Sequence, residues 1–154
     1  MKRSNRSLIN QTEHFRPVWE NNPLQRMNIW IKGLDCASLE SGDEIGIYDG
    51  NLCVGAGKVN EMPSKTNLLT ITCSREDMGN DGFQNGNDIR FRIWDQSEQT
   101  EIDSSFVNAS FSNISNDQPI DNSTFQILED YQVLLRVSHS IQTTSGANGE
   151  IFPS

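Results

Sequence analysis

GDEIGIYDGNLCVGAGKV, residues 42–59, decides how this chain is read. Ile45 and Ile47 alternate toward one face, and Asp49-Gly50 supplies the positive φ that a tight hairpin turn requires. The return strand, Leu52 to Val59, carries Gly55 and Gly57, which weaken it unless a neighbouring backbone or side chain lies close over it. Asp, Glu and Asn in such a stretch also suggest a cation site. The hairpin comes first, because these residues form turns and tolerate left-handed backbone.

Outward from the hairpin, strand signals dominate and no segment keeps a helical period. MNIWIKGL (27–34) follows an Asn21-Asn22-Pro23 turn and sets Met27, Ile29 and Ile31 against Asn28, Trp30 and Lys32. NLLTITCS (67–74) and DIRFRIWD (88–95) are two more strands, the latter with Ile89, Phe91 and Ile93 inward and Arg90, Arg92 and Trp94 outward. REDMGNDGFQNGN between them is turn chemistry. Further strands are expected over Phe106–Phe111, Thr124–Leu128 and Tyr131–Val137. HFRPVW (14–19) suits an edge or terminal strand, because Pro17 cannot donate to a ladder.

Roughly eight or nine short strands with closely spaced turns predict an all-β fold, an immunoglobulin-like or jelly-roll β-sandwich with an extended N-terminal strand. Its core is expected to hold Ile45, Ile47, Leu69, Ile71, Phe91, Ile93, Val133 and Leu135. The organisation read from composition is an N-terminal arm over 1–19, a sandwich domain over 20–140 and a polar tail over 141–154.

The 154 residues suit one domain, which buries about two thirds of its unfolded surface. Apolar residues make up 34% of the chain, and no run approaches the roughly twenty that span a bilayer. A net charge of −9 argues against nucleic acid, whose binding needs clustered Lys and Arg. The N-terminus is basic but has no apolar stretch behind it, so it reads as a mature or trimmed chain rather than an intact secretory signal. An acidic surface fits an extracellular or cell-surface location.

HFRPVWENNPLQRMNIWI, SGDEIGIYDGNLCVGAG and GFQNGNDIRFRIWD, in that order, resemble a β-sandwich module of large secreted and cell-surface proteins of Bacteroidota-type bacteria. The resemblance covers about Glu13 to Gln96. It implies secretion and a sandwich fold. Members of that family usually lack an assigned activity, so it implies little about function. The expectation here is a module that stands alone, a departure from the family's usual place inside a long multidomain chain.

Chemistry finds little purchase in these residues. The only two histidines, His14 and His139, lie in no nucleophile motif, so no catalytic residue is assigned and no enzyme is expected. Asp77, Asn80, Asp81 and Asp88 are candidate calcium ligands in one loop, although their spacing matches no EF-hand. No other cofactor is expected. Cys53 and Cys73 lie equally far from the centre of EMPSKTN near Pro63, so a disulfide between them would follow if that loop joins antiparallel strands; Cys36 is the third cysteine. Asn5, Asn10, Asn108, Asn113 and Asn122 head sequons and are candidate glycosylation sites. Trp30 and Trp94, pointing away from the inferred core, are candidates for stacking on sugar rings.

The functional expectation is a non-enzymatic structural subunit of an extracellular fibre or surface assembly. Identical subunits would polymerise by donor-strand exchange, the N-terminal arm entering a neighbouring immunoglobulin-like domain through Leu8, Phe15 and Val18. The alternative is a carbohydrate-binding β-sandwich module with glycans as partners. Such a module would be monomeric and keep its N-terminal strand in its own sheet.

Overall fold

The computed structural model describes residues 12–19, 25–36, 39–121 and 123–138. The described residues form nine strands: β1 (Arg26–Asp35), β2 (Glu44–Asp49), β3 (Leu52–Lys58), β4 (Leu69–Ser74), β5 (Arg90–Asp95), β6 (Thr100–Ile102), β7 (Val107–Asn113), β8 (Pro119–Ile120) and β9 (Asp130–Val137). They build a five-stranded sheet, β4-β1-β9-β7-β8, packed on a four-stranded sheet, β3-β2-β5-β6. The fold is the all-β sandwich that the alternating pattern predicts.

The opening hairpin forms as its residues dictate. Gly50 takes φ 61° in the turn between β2 and β3. Ile45 and Ile47 point inward and are fully buried, with Ile93, Phe91, Ile71, Val133 and Leu135 beside them or close by in the core. Leu69, expected in the core, is partly buried against it. In β1, Met27, Ile29 and Ile31 face the core while Asn28, Trp30 and Lys32 face out. β1 pairs antiparallel with β4 and parallel with β9, so the first and last strands lie side by side at the centre of the larger sheet.

The sandwich has two unlike long sides. Where β3 faces β4, a Cβ on Gly55 would lie 2.8 Å from Cys73 Sγ and 2.9 Å from the Thr72 carbonyl, and one on Gly57 would lie 2.8 Å from Ile71 Cγ1. At both glycines the opposite sheet leaves no room for a side chain. On the other side, β6 covers β5 only from Ile93 to Asp95, and β8 covers β7 only at Phe111 and Ser112. A groove of about 270 Å³ opens there, lined by Phe91, Val107, Ala109 and Phe111 below and by Asp88 and Arg90 at its rim.

Several expectations are corrected. HFRPVW forms no strand; it crosses the outer face of the smaller sheet, and Val18 N–H bonds the Cys53 carbonyl 2.9 Å away. Thr124–Leu128 forms no strand either. Ser123 and the first residues of that range strap the chain before β5 through Ile89 N–H to Ser123 O and Phe125 N–H to Asn87 O, both 2.9 Å. Phe125 stacks there on Phe83, with centroids 4.7 Å apart. β6 and β8 arise in stretches that read as polar loop.

The Cys53–Cys73 disulfide does not form. β3 and β4 are not partners in one ladder but belong to opposite sheets, so the assumed register does not exist. Cys73 lies in the core, whereas Cys53 faces outward against Phe15 and Tyr48, and both carry free thiols.

Candidate functional site

All six residues of β2 are largely withdrawn from solvent, although alternate residues point to opposite faces. Ile45 and Ile47 serve the core. Glu44, Gly46 and Tyr48 face outward and are covered by the chain's own residues 12–19.

The cover is a built seat. The Glu44 carboxylate, 1% exposed, accepts the backbone N–H groups of Glu13 at 2.7 Å, His14 at 3.0 Å and Phe15 at 3.0 Å. A buried carboxylate requires such partners, and three converging amides supply them. Phe15 is 1% exposed. It packs over Gly46, where any Cβ would stand 2.8 Å from the ring, and meets Tyr48 edge-on at 6.0 Å. Trp19 Nε1 donates to the Val54 carbonyl at 2.6 Å, fixing the far end of the segment over β3.

At the near end, the His14 ring stacks on Trp94 with centroids 3.8 Å apart, and its Nε2 meets Glu101 Oε1 of β6 at 2.7 Å. Glu101 also pairs with Arg92 at 3.3 Å, and the Arg92 guanidinium lies 4.1 Å over the Tyr48 ring. The seat thus runs across the sheet from β3 to β6. Burial beneath it pushes the Tyr48 hydroxyl up to about 12, with the neighbouring Cys53 adding to the rise and Arg92 opposing it. Burial also raises the Cys53 thiol, so neither group ionises near neutral pH.

The outer face of the larger sheet is the second surface. Trp30 sits there between Thr70 of β4 and Gln132 of β9. Near it, Asp117, at φ 61°, receives Lys32 Nζ at 2.9 Å, Lys65 Nζ at 2.7 Å and Gln132 Nε2 at 3.0 Å. The two lysines hold its carboxyl well below the usual carboxylate range. This knot ties the β3–β4 and β7–β8 loops across the sheet.

Of the residues singled out in the sequence, Phe15 is not free for a neighbour but buried in its own domain, while Val18 is 38% exposed. The segment is docked on its own body without joining either sheet, so it matches neither the free donor arm nor the strand in its own sheet. Leu8 lies outside the described residues, as do Asn5, Asn10, Asn122 and His139. Trp94 has one face taken by His14, and Trp30 is half-buried on the outer face of the larger sheet, its Nε1 withdrawn from solvent with no hydrogen-bond partner among the described residues.

The four calcium candidates do not converge. Asp77 and Asn80 close a turn on each other through their backbones, Asp81 is exposed, and Asp88 lies 3.9 Å from Arg90. Among the described residues no three His, Cys, Asp or Glu side chains gather as metal ligands. Asn108 is exposed beside the groove, whereas Asn113 Oδ1 is folded back onto Ser115 at 2.7 and 2.9 Å.

Sequence reading missed the role of Glu44. A carboxylate in the period-two row with Gly46 and Tyr48, on a strand otherwise apolar, was the signal that something covers that row. No protein-family model, curated protein or solved structure matches the chain.

Proposed function

We propose that the protein is a non-enzymatic structural subunit of an extracellular fibre or surface assembly, in which the N-terminal arm of one copy docks on the next. The observation that carries this reading is the seat. Glu44, Gly46, Tyr48 and Val54 hold an eight-residue segment by contacts that a second copy's identical segment reproduces. Residues 20–24, Glu-Asn-Asn-Pro-Leu, join the segment to β1. Moving it from its own seat to a neighbour's conserves every contact and alters only chain entropy. An exchange that passes from copy to copy without closing propagates as a filament. The mode differs from insertion between sheets: the acceptor is the outer face of the smaller sheet.

Electron microscopy and sedimentation of the full-length chain test this. Multimers are expected, and a chain lacking residues 1–19 should no longer assemble but should bind a peptide of residues 1–19. A full-length protein that stays monomeric at every concentration overturns the reading.

A second reading, a carbohydrate-binding module, is favoured by Trp30, an indole on a sheet face otherwise lined by Asn28, Thr70, Thr72 and Gln132. Calorimetry with soluble polysaccharides checks it, with Trp30→Ala as the control. Heat that persists unchanged in the variant, or no heat at all, removes it.

A further inference from the structure

The open side of the sandwich carries backbone groups that the described residues do not satisfy. Ile89 N–H bonds Ser123 O, and alternate residues of a strand point their N–H and C=O the same way, so Phe91 turns its own toward the groove. Asn113 N–H bonds Gln118 O, which by the same alternation aims the backbone of Ala109 into the groove from the opposite sheet, while the neighbouring Val107 N–H is taken by Ser104 O. Among the described residues no strand pairs with Phe91 or Ala109 on that side. Such edges are templates for an extended chain.

The seat shows where that chain comes from. Val18 lies over β3, Phe15 over β2, and His14 over β5 and β6 through Trp94 and Glu101. Followed backward, the arm thus leaves the sheet at β6, beside the groove, and Arg92 links Glu101 to the uncovered half of β5. Residues 1–11 remain, and extended at roughly 3.3 Å per residue they reach roughly 35 Å, ample to run along β5. They hold Lys2, Arg3 and Arg6 and no acidic residue, while the rest of the chain sets the other nine of 12 basic residues against all 21 acidic ones.

We infer that the groove between β5 and β7 captures residues 1–11 as an added strand, taken from the chain whose residues 12–19 fill the adjoining seat. Leu8 supplies the apolar side chain over Phe91 and Phe111, and the three cations meet an acidic body. The inference holds whether the arm docks on its own body or on a neighbour's, so it stands apart from the fibre reading.

Amide hydrogen exchange at Phe91 and Ala109 tests it, comparing the full chain with one that lacks only residues 1–11 and keeps the seat. The truncated chain should exchange at these amides at least about tenfold faster. A peptide of residues 1–11 should restore protection, with affinity falling about tenfold or more between roughly 0.05 and 0.5 M salt. Leu8→Asp in the full chain should reproduce the truncation without lowering the melting temperature of the body. Equal exchange in the two chains overturns the inference. So does release of these amides by deleting residues 139–154 instead, or peptide binding that Leu8→Asp leaves unchanged. Sedimentation separates the two proposals: protected amides in a monomer keep this inference and sink the fibre, and unprotected amides in a polymer do the reverse.

Discussion

On the side where β3 faces β4, two glycines let strands of opposite sheets approach until a single methyl group would collide with Cys73, Thr72 and Ile71. On the side where β5 faces β7, the covering strands are three and two residues long, and a groove remains. A sandwich must bury its core on all sides, yet only one of these sides does so by direct sheet-to-sheet closure. The difference sets tight closure on the first side and open strand edges on the second. Uncovered strand edges are hazards that folded proteins cover or blunt, so an edge left open beside the exit of an unplaced segment is a feature to be explained.

Substitution at the closed side should break this contrast most severely if it is wrong. Gly55→Val sets side-chain atoms against Cys73 and the Thr72 backbone, and should cost about 3 kcal/mol in urea unfolding. Ser110→Val, exposed on β7 at the open side, should stay within about 0.5 kcal/mol. Similar costs at both sites would remove the distinction.

The seat should give intermediate effects. Phe15→Ala empties a buried position over Gly46 and should cost about 2 to 3 kcal/mol, and Glu44→Gln, which loses the charge that three amides share, about 1 to 2 kcal/mol. Both should raise exchange at the Phe15 amide. If residues 1–11 hold the groove on their own, the Phe91 amide stays protected; if the seat delivers them, it is released together with Phe15.

The smallest effect concerns acid. Asp117 has a folded value below its ordinary 3.8, so its contribution is present above that value and is lost as pH falls through the folded one. Asp43 has the opposite sign: burial raises it, so its contribution is greatest below 3.8 and shrinks as pH rises through the folded value. Because the two oppose each other, a global melt blurs them. A local probe is needed: the Gln118 amide should exchange faster as pH falls below about 3 after correction for intrinsic rates, and Asp117→Asn should abolish that dependence.

Much of the fold was legible because the period of the side chains is two and the core is aliphatic. Ile45, Ile47, Phe91, Ile93, Val133 and Leu135 announce their own faces. The turn at Gly50 was legible for the same local reason. What could not be read is what depends on distant pairing: β3 and β4 are sequential strands, yet they part into different sheets, which undid the Cys53–Cys73 register. The short strands β6 and β8 are made by their partners rather than by their own residues. At the seat, His14 and Phe15 were legible as an unusual arm, but their acceptor lies about thirty residues away at Glu44, where only the misplaced carboxylate hinted at it.

The central pair of the larger sheet joins β1 to β9, with Asn28 opposite Asp130. The chain therefore cannot complete its core until its last strand has been delivered. Loop closure over about a hundred residues makes such folding slow, with the whole intervening polypeptide awaiting the final contact. Until β9 pairs with β1 the larger sheet lacks its centre, so the body becomes rigid in one late step rather than strand by strand.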